Sequence, residues 1–229
     1  MEEARTIRTR SVRIDSSGGI VLEGQLDLPD EGAATPTAGV VICHPHPQYG
    51  GEMTNNVVMA VSSSIVAYGL AALRFNFRGA GRSGGAYDNG IGEQEDTLAA
   101  LEALATGTVA DELPNEMRVG LAGYSFGGGV ALGAARGAVG LAALALISPA
   151  IGDDASQEAL SALTMPKLIA TGEADNFATV ERVRGLAGML PGSTEIYIAT
   201  QTDHFWWGEE MNLGRRVGEF MASSVGRAQ

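Results

Sequence analysis

The sequence predicts an α/β fold, a three-layer α/β/α sandwich in which helices cover both faces of a mostly parallel eight-stranded sheet. Six continuous apolar runs have the length and composition of strands that are buried on both faces, which are typical of parallel sheets. Helical patterns alternate with these runs, and a helical crossover is the ordinary connection between parallel strands. An antiparallel hairpin precedes the first run.

The hairpin is predicted from residues 6 to 28, which alternate apolar and polar on both sides of SSGG. The apolar runs that follow are 38–43, 70–75, 117–122, 141–147, 167–171 and 195–199. The helical patterns between them are 55–68, 92–105, 126–136, 155–163, 179–190 and 209–223. No linker interrupts this alternation, so we expect residues 1 to 229 to form a single domain.

The composition narrows the classes of function. A net charge of −12 argues against nucleic acids and anionic membranes as partners, because both are themselves polyanions. Cys43 is the single cysteine, so no intrachain disulfide can form. The first residues lack the apolar core of a signal peptide, and no run approaches the ~18 apolar residues of a membrane span. We expect a cytoplasmic protein, and a homodimer stays open.

A candidate nucleophile follows the fifth predicted strand, where GYSFG fits the pattern GxSxG. A tight turn from strand to helix strains the central residue and leaves no room for a Cβ at the flanking glycines. Ser125 would then project beyond the carboxyl ends of the strands, where ligands bind in such sheets. The helix behind it would favour a developing anion. The alternatives are an incidental serine in a glycine-rich turn and a phosphate-cradling loop.

A serine hydroxyl needs a neighbouring base that a carboxylate holds in place. His204 lies between the last apolar run and the last helix, whereas the other two histidines come too early for the chain order serine, acid, histidine. Asp175, at the tip of the loop in KLIATGEADNF, is favoured over Glu173 because it reaches further. Asp203 is disfavoured because adjacent side chains point apart in extended chain.

These residues resemble the α/β-hydrolase superfamily over nearly the whole chain. The motifs that carry the resemblance are HPHPQYGG, RFNFRGAGRSGG, GYSFGG, GEAD and DHFW. Among its members, the chain is similar to small cap-less bacterial serine hydrolases related to dienelactone hydrolases and to prolyl-oligopeptidase-like catalytic domains. The resemblance implies a triad of Ser125, Asp175 and His204, and no cofactor is expected.

The loop VVICHPHPQYGG bears on the oxyanion hole. Acyl transfer needs two N–H donors for its oxyanion, and in this fold one comes from the residue after the nucleophile, here Phe126. The other comes from the loop after the third strand, whose two prolines have no N–H. The remaining candidates are His46, Gln48 and Tyr49, and alignment with the family's usual HGxP points to the His46 amide.

Two further motifs have competing interpretations. A metal site at Cys43 and His44 is disfavoured because the two side chains would point to opposite sides of a strand, with no second ligand cluster elsewhere. We expect no metal, and we expect His44 to brace nearby loops. Arg78 is expected to hold its loop through backbone carbonyls. Phosphate binding by Arg74, Arg78 and Arg82 is the weaker alternative.

The substrate prediction comes from what surrounds these motifs. The sixth and seventh strands leave room only for a loop and a short helix, so we expect an open site for small or exposed esters. Candidate substrate-wall residues are Tyr49, Met53, Phe177 and Trp206, with ordinary packing as the alternative. The resulting hypothesis is a serine esterase that acts on a small-molecule acyl substrate. A peptidase or amidase, a thioesterase or acyltransferase, and a non-catalytic binding module are the alternatives.

Overall fold

The computed structural model describes residues 7–151 and 160–226. Its strands are β1 (Ile7–Asp15), β2 (Val21–Pro29), β3 (Ala38–Cys43), β4 (Ala71–Phe75), β5 (Arg118–Tyr124), β6 (Ala143–Ile147), β7 (Lys167–Gly172) and β8 (Thr194–Ala199). Its α-helices are α1 (Asn56–Ala67), α2 (Ile91–Ala105), α3 (Phe126–Ala135), α4 (Val180–Met189) and α5 (Glu210–Val225). These elements confirm the predicted alternation. The helix predicted at 155–163 lies largely outside the described residues.

The eight strands form one sheet in the order β1-β2-β4-β3-β5-β6-β7-β8. The pairs β1–β2 and β2–β4 are antiparallel, and every other neighbouring pair is parallel. The predicted hairpin and the predicted mostly parallel sheet are therefore both confirmed. Because β3 to β8 run in one direction, the loops that follow them meet at one edge of the sheet.

Apolar side chains pack on both faces of the sheet. On β3, Val40 and Ile42 face the layer formed by α1 and α5, while Val41 and Cys43 face α2, α3 and α4. This two-sided burial explains why the strands read as continuous apolar runs rather than alternating ones. None of the helices in the described ranges has the length and apolar character needed to cross a membrane.

The connection between β6 and β7 occupies only residues 148–166. A cap domain needs a core of its own, and a segment of this length cannot supply one. The cap-less architecture expected from the sequence is thus a consequence of chain length. Ala150, in this connection, lines a cavity beside Ser125.

A buried ion pair fastens the antiparallel hairpin to the parallel strands. Asp27 on β2 and Arg74 on β4 are each 3% exposed, and Arg74 Nε and Nη2 donate to the Asp27 carboxylate at 2.5 and 3.1 Å. The hydroxyls of Ser62 on α1 and Thr9 on β1 donate to the same carboxylate at 2.5 and 2.6 Å. The two buried charges therefore neutralise each other, and the two hydroxyls bind the remaining lone pairs of the carboxylate, as a buried ion pair requires.

Arg78, in the loop after β4, binds carboxylates rather than the backbone carbonyls that we predicted. Its Nε and Nη2 donate to the carboxylate of Asp96 on α2 at 3.1 and 2.8 Å, and Nη2 also reaches Glu95 and Ser17. Asp96 is fully buried, and a planar guanidinium matches a buried carboxylate better than separate carbonyls do. The neighbouring arginines are likewise paired, Arg74 with Asp27 and Arg82 with Glu23. All three guanidinium groups thus form ion pairs with carboxylates.

Candidate active site

Ser125 occupies a sharp turn between β5 and α3. Its φ of 54° and ψ of −117° are unusual for a residue with a side chain. A Cβ on Gly123 would lie 2.2 Å from the carbonyl oxygen of Gly127, and one on Gly127 would lie 2.4 Å from that of His44. Both glycines are therefore required by the close approach of neighbouring backbone, as the GxSxG motif predicts.

The structure brings Ser125, His204 and Asp175 into one hydrogen-bonded path. Ser125 Oγ lies 2.9 Å from His204 Nε2, and His204 Nδ1 lies 2.9 and 3.1 Å from the two carboxylate oxygens of Asp175. An ionised carboxylate only accepts hydrogen bonds, so Nδ1 carries the ring proton. The lone pair of Nε2 then faces the serine hydroxyl, which is the arrangement in which a base can take its proton.

Asp175 is held as an anion. Burial alone raises its pKa, but hydrogen bonds from His204, Ser148 and the amides of Ala178 and Phe177 lower the pKa to about 2. Both amides donate to Oδ1 at 2.8 Å. The side chain of Asp175 is fully buried, and its carboxylate stays ionised at neutral pH.

The two competing acids have other partners. Glu173 accepts a hydrogen bond from the Gln201 amide at 3.2 Å, and Asp203 accepts one from the Phe205 amide at 2.9 Å. Of the three acids considered from the sequence, Asp175 is the one that reaches the histidine.

Tyr124, the residue before the serine, holds the backbone of the histidine loop. Its hydroxyl donates to the carbonyl oxygen of His204 at 2.8 Å. Burial, with help from the nearby carboxylates of Asp175 and Asp203, raises the pKa of Tyr124, so the hydroxyl remains a donor. The sequence interpretation missed this residue, although its place inside the GxSxG motif put it next to the nucleophile.

His44 braces two loops. Its Nε2 accepts a hydrogen bond from the Phe77 amide at 3.0 Å, and its Nδ1 lies 2.6 Å from the carbonyl oxygen of Pro45. Burial lowers the pKa of His44 to about 4, so the ring is neutral and donates through Nδ1. Both ring nitrogens are engaged. Elsewhere in the described ranges, no three His, Cys, Asp or Glu side chains are grouped as a metal ion would require.

The amides of the loop after β3 differ in their partners. Gln48 N–H donates to His46 Nδ1 at 3.2 Å, and Tyr49 N–H donates to the His46 carbonyl at 3.0 Å. The amides of His46 and Phe126 have no hydrogen-bond partner in the described parts of the chain. The rings of these two residues lie 4.7 Å apart, between centroids. Of the three loop amides considered, only that of His46 is thus free beside α3.

The fold agrees with comparisons to known proteins. A family model described as an alpha/beta hydrolase domain matches residues 37–221, which is well over half of the chain. The chain belongs to the α/β-hydrolase family.

Individual relatives of this α/β hydrolase match it over most of their length. The crystal structure of XC6422 from Xanthomonas campestris, described as an α/β serine hydrolase without a lid, is 26% identical with a TM-score of 0.80, over 97% of both chains. An alpha-beta serine hydrolase homologue from Coxiella burnetii is 28% identical with a TM-score of 0.80, over 92% of this chain and 96% of that one. The uncharacterized protein RP471 of Rickettsia prowazekii is 28% identical over 87% of this chain and 85% of its own.

A cavity of about 610 Å³ lies beside the serine of this α/β hydrolase. Most of its lining consists of rings, which belong to His46, Tyr49, Tyr124, Phe126, Phe177, His204 and Phe205. In the described residues, no Asp, Glu, Lys or Arg lines it. Tyr49 and Phe177, predicted to contact substrate, lie here and are 87% and 64% exposed. Phe205 was not predicted, although the motif DHFW places it next to the histidine.

Two residues predicted for the substrate wall of the hydrolase lie elsewhere. Met53 is buried near the hairpin, where its backbone N–H donates to Asn76. Trp206 is fully buried, and its indole N–H donates to Ser148 Oγ at 3.0 Å. Its φ is 61°, in the left-handed region that few residues with a side chain adopt. The prediction that Met53 and Trp206 contact substrate is therefore wrong.

Proposed function

We propose that this α/β hydrolase is a carboxylic ester hydrolase that acts through Ser125, His204 and Asp175. The observation that carries the proposal is the unbroken hydrogen-bonded path from the strained serine through His204 to an ionised, buried carboxylate. Such a path activates a serine hydroxyl, which is a weak nucleophile by itself.

In the proposed reaction, His204 Nε2 takes the hydroxyl proton while Ser125 Oγ attacks the ester carbonyl. The carbonyl oxygen becomes an oxyanion, and the free amides of His46 and Phe126 donate to it. Protonated His204, which Asp175 stabilises, then gives its proton to the leaving alcohol. Water attacks the resulting acyl-enzyme with the same base and releases the acid.

The lining of the cavity favours an uncharged, small or exposed ester as the small-molecule acyl substrate. A peptidase that recognises a chain terminus needs a charged group to bind the ammonium or carboxylate, and the described lining offers none. A thioesterase or acyltransferase would form the same acyl-enzyme and differ only in leaving group or acceptor. These two remain second candidates that only substrate comparison separates.

The first test replaces Ser125 with alanine and measures p-nitrophenyl acetate turnover. We expect kcat to fall by about 10³-fold or more while the thermal unfolding curve is kept. Ser223→Ala, which removes a serine hydroxyl on α5, is the matched control and should retain full turnover. Undiminished turnover in Ser125→Ala would refute the assignment of the nucleophile.

A second measurement separates the classes of function. A fluorophosphonate probe should label the wild-type protein at Ser125, whereas a non-catalytic binding module would stay unlabelled. A series of p-nitrophenyl esters of increasing acyl length, run beside thioesters and aminoacyl amides, then ranks kcat/KM. We expect short esters to lead, and a clear preference for amides or thioesters would overturn the ester assignment.

A further inference from the structure

We propose that Ser148 and Trp206 are positioning residues that hold Asp175, and through it His204, in the geometry that activates Ser125. The inference rests on the proposed function and extends it to two residues that lie away from the cavity. It assigns a role to the tryptophan that the sequence interpretation had placed on the substrate wall.

The contacts form a buried continuation of the path described above. Trp206 Nε1 donates to Ser148 Oγ at 3.0 Å, and Asp175 accepts the proton of His204 Nδ1 at 2.9 Å. The Ser148 hydroxyl joins these two contacts as one of the side-chain hydrogen-bond partners that lower the pKa of Asp175. Ser148 and Trp206 are both completely buried. Water therefore does not compete for these hydrogen bonds, and it could not replace a donor that a substitution removes.

The chemistry of the groups leaves one direction for these hydrogen bonds. An indole N–H can only donate, an ionised carboxylate can only accept, and a serine hydroxyl has one proton. Once Trp206 occupies a lone pair of Ser148 Oγ, the hydroxyl proton is free to point at Asp175. The indole thus orients the hydroxyl, and the hydroxyl adds a donor to the two amides and to Thr171 Oγ1, which lies 3.4 Å from Asp175 Oδ2.

The backbone is also arranged around this contact. Ser148 has a φ of 41° and Trp206 a φ of 61°, in the left-handed region that side chains other than glycine rarely adopt. With Ser125, they account for three of the five non-glycine residues with positive φ in the part of the chain that the structure describes. Ser148 N–H donates to the Ala170 carbonyl at 2.7 Å, which ties it to β7, the strand before Asp175.

The hydrogen bond also joins two loops that carry the site. Ser148 is the first residue after β6, and Trp206 lies two residues after His204. An alanine in place of Ser148 and a phenylalanine in place of Trp206 would fill the core without any polar atom. Trp206 instead directs its indole N–H at Ser148, and Ser148 is a hydrogen-bond partner of Asp175, which is the reason for assigning both residues to the site rather than to packing.

The test uses Ser148→Ala, Trp206→Phe and the double variant. Each single substitution removes one link and should lower kcat by about tenfold, since an outer partner that orients a working group typically contributes 10- to 100-fold. KM should stay within about twofold because neither residue touches the cavity. The kcat of the double variant should be no lower than that of the more affected single variant, because both hydrogen bonds belong to one path.

Matched controls come from the same chain. Ser62→Ala removes another buried serine hydroxyl that donates to a buried carboxylate, that of Asp27, far along the sheet. Trp207→Phe replaces the neighbouring indole, which is 73% exposed, with a smaller ring. Both controls should keep kcat within about twofold of the wild type. Thermal unfolding of every variant shows which comparisons are between folded proteins.

A readout that needs no turnover is the NMR resonance of the His204 Nδ1 proton. It should shift in Ser148→Ala and Trp206→Phe and stay in place in both controls. An unchanged resonance together with wild-type kcat in the folded variants would overturn the inference, and so would additive losses in the double variant. If Ser148→Ala does not fold, kcat and the resonance of Trp206→Phe, which retains most of the ring, decide the test. A wild-type protein without esterase activity would refute the proposed function, while the resonance would still decide this inference.

Discussion

Gly127, the second residue of α3, is a position where we expect one added methyl group to damage the site. A Cβ there would lie 2.4 Å from the carbonyl oxygen of His44 and 2.5 Å from that of Cys43. Ordinary contacts begin near 3.4 Å, so in Gly127→Ala the helix and the end of β3 must separate by about 1 Å. Both obstacles are backbone atoms, which cannot rotate out of the way.

The magnitude of the effect follows from what these two segments carry. Forcing an extra methyl into a packed site costs about 1–3 kcal/mol of unfolding free energy. The separating segments also hold the free amides of Phe126 and His46, which we propose as oxyanion donors. A displacement of about 1 Å between groups that act on one atom costs about 100-fold in rate. We therefore expect kcat/KM to fall much further than stability does.

The assay combines urea unfolding with kcat/KM for p-nitrophenyl acetate. Gly185→Ala is the control, because a Cβ on this α4 glycine meets no atom within 4 Å and should stabilise the helix by about 0.5–1 kcal/mol. Wild-type stability and turnover in Gly127→Ala would refute the reasoning about close approach. Lost stability with unchanged kcat/KM would show instead that these amides do not bind the oxyanion.

Three other predictions concern the remaining polar groups. Asp175→Asn should lower kcat by about 10²–10⁴-fold, because the amide can hold the wrong tautomer of the histidine, whereas Glu173→Gln should leave kcat unchanged. The pKa of His44 is lowered from 6.5 to about 4, so as the pH falls the imidazole takes up a proton in the unfolded chain before it does so in the folded one. The free energy of unfolding should therefore fall by about 3 kcal/mol between pH 6.5 and 4. Urea unfolding at pH 7, 5 and 4 should show this loss, and His44→Gln should lack it; an equal loss in the variant would contradict the assignment. Burial raises the pKa of the Cys43 thiol to about 12, so a thiol reagent should react only in denaturant, and rapid modification of the native protein would show that β3 opens.

The strands and helices could be predicted because their signals are local. A strand buried on both faces must be apolar at successive positions, and a helix between two such strands must cover the sheet, so the pattern alone indicates the layers. The observed ends differ from the predicted ends by at most two residues, for example at β6, which begins at Ala143 rather than at residue 141. The last residues of an element depend on hydrogen bonds that the pattern does not contain.

The site was predictable where chemistry restricts the residue type. A nucleophilic turn needs glycines around Ser125, and the order of the loops along the chain singled out His204 and Asp175. The burial of Trp206 was not predictable, because its partner Ser148 follows a different strand and only the folded chain brings the two together. The partner of Arg78 was not predictable either, since Asp96 lies on the next helix and only the folded chain brings its carboxylate within reach.

The ion pair between Asp27 and Arg74 has a consequence for how the hairpin joins the sheet. In the observed alignment, Asp27 lies opposite Ala72 and Gln25 opposite Arg74. A shift of β2 by one residue would turn Asp27 to the other face, among apolar side chains, and leave both charges buried without partners. Removing one partner from such a pair costs about 3–5 kcal/mol, whereas an intact pair adds little net stability. The pair thus selects one strand register by penalising the alternatives.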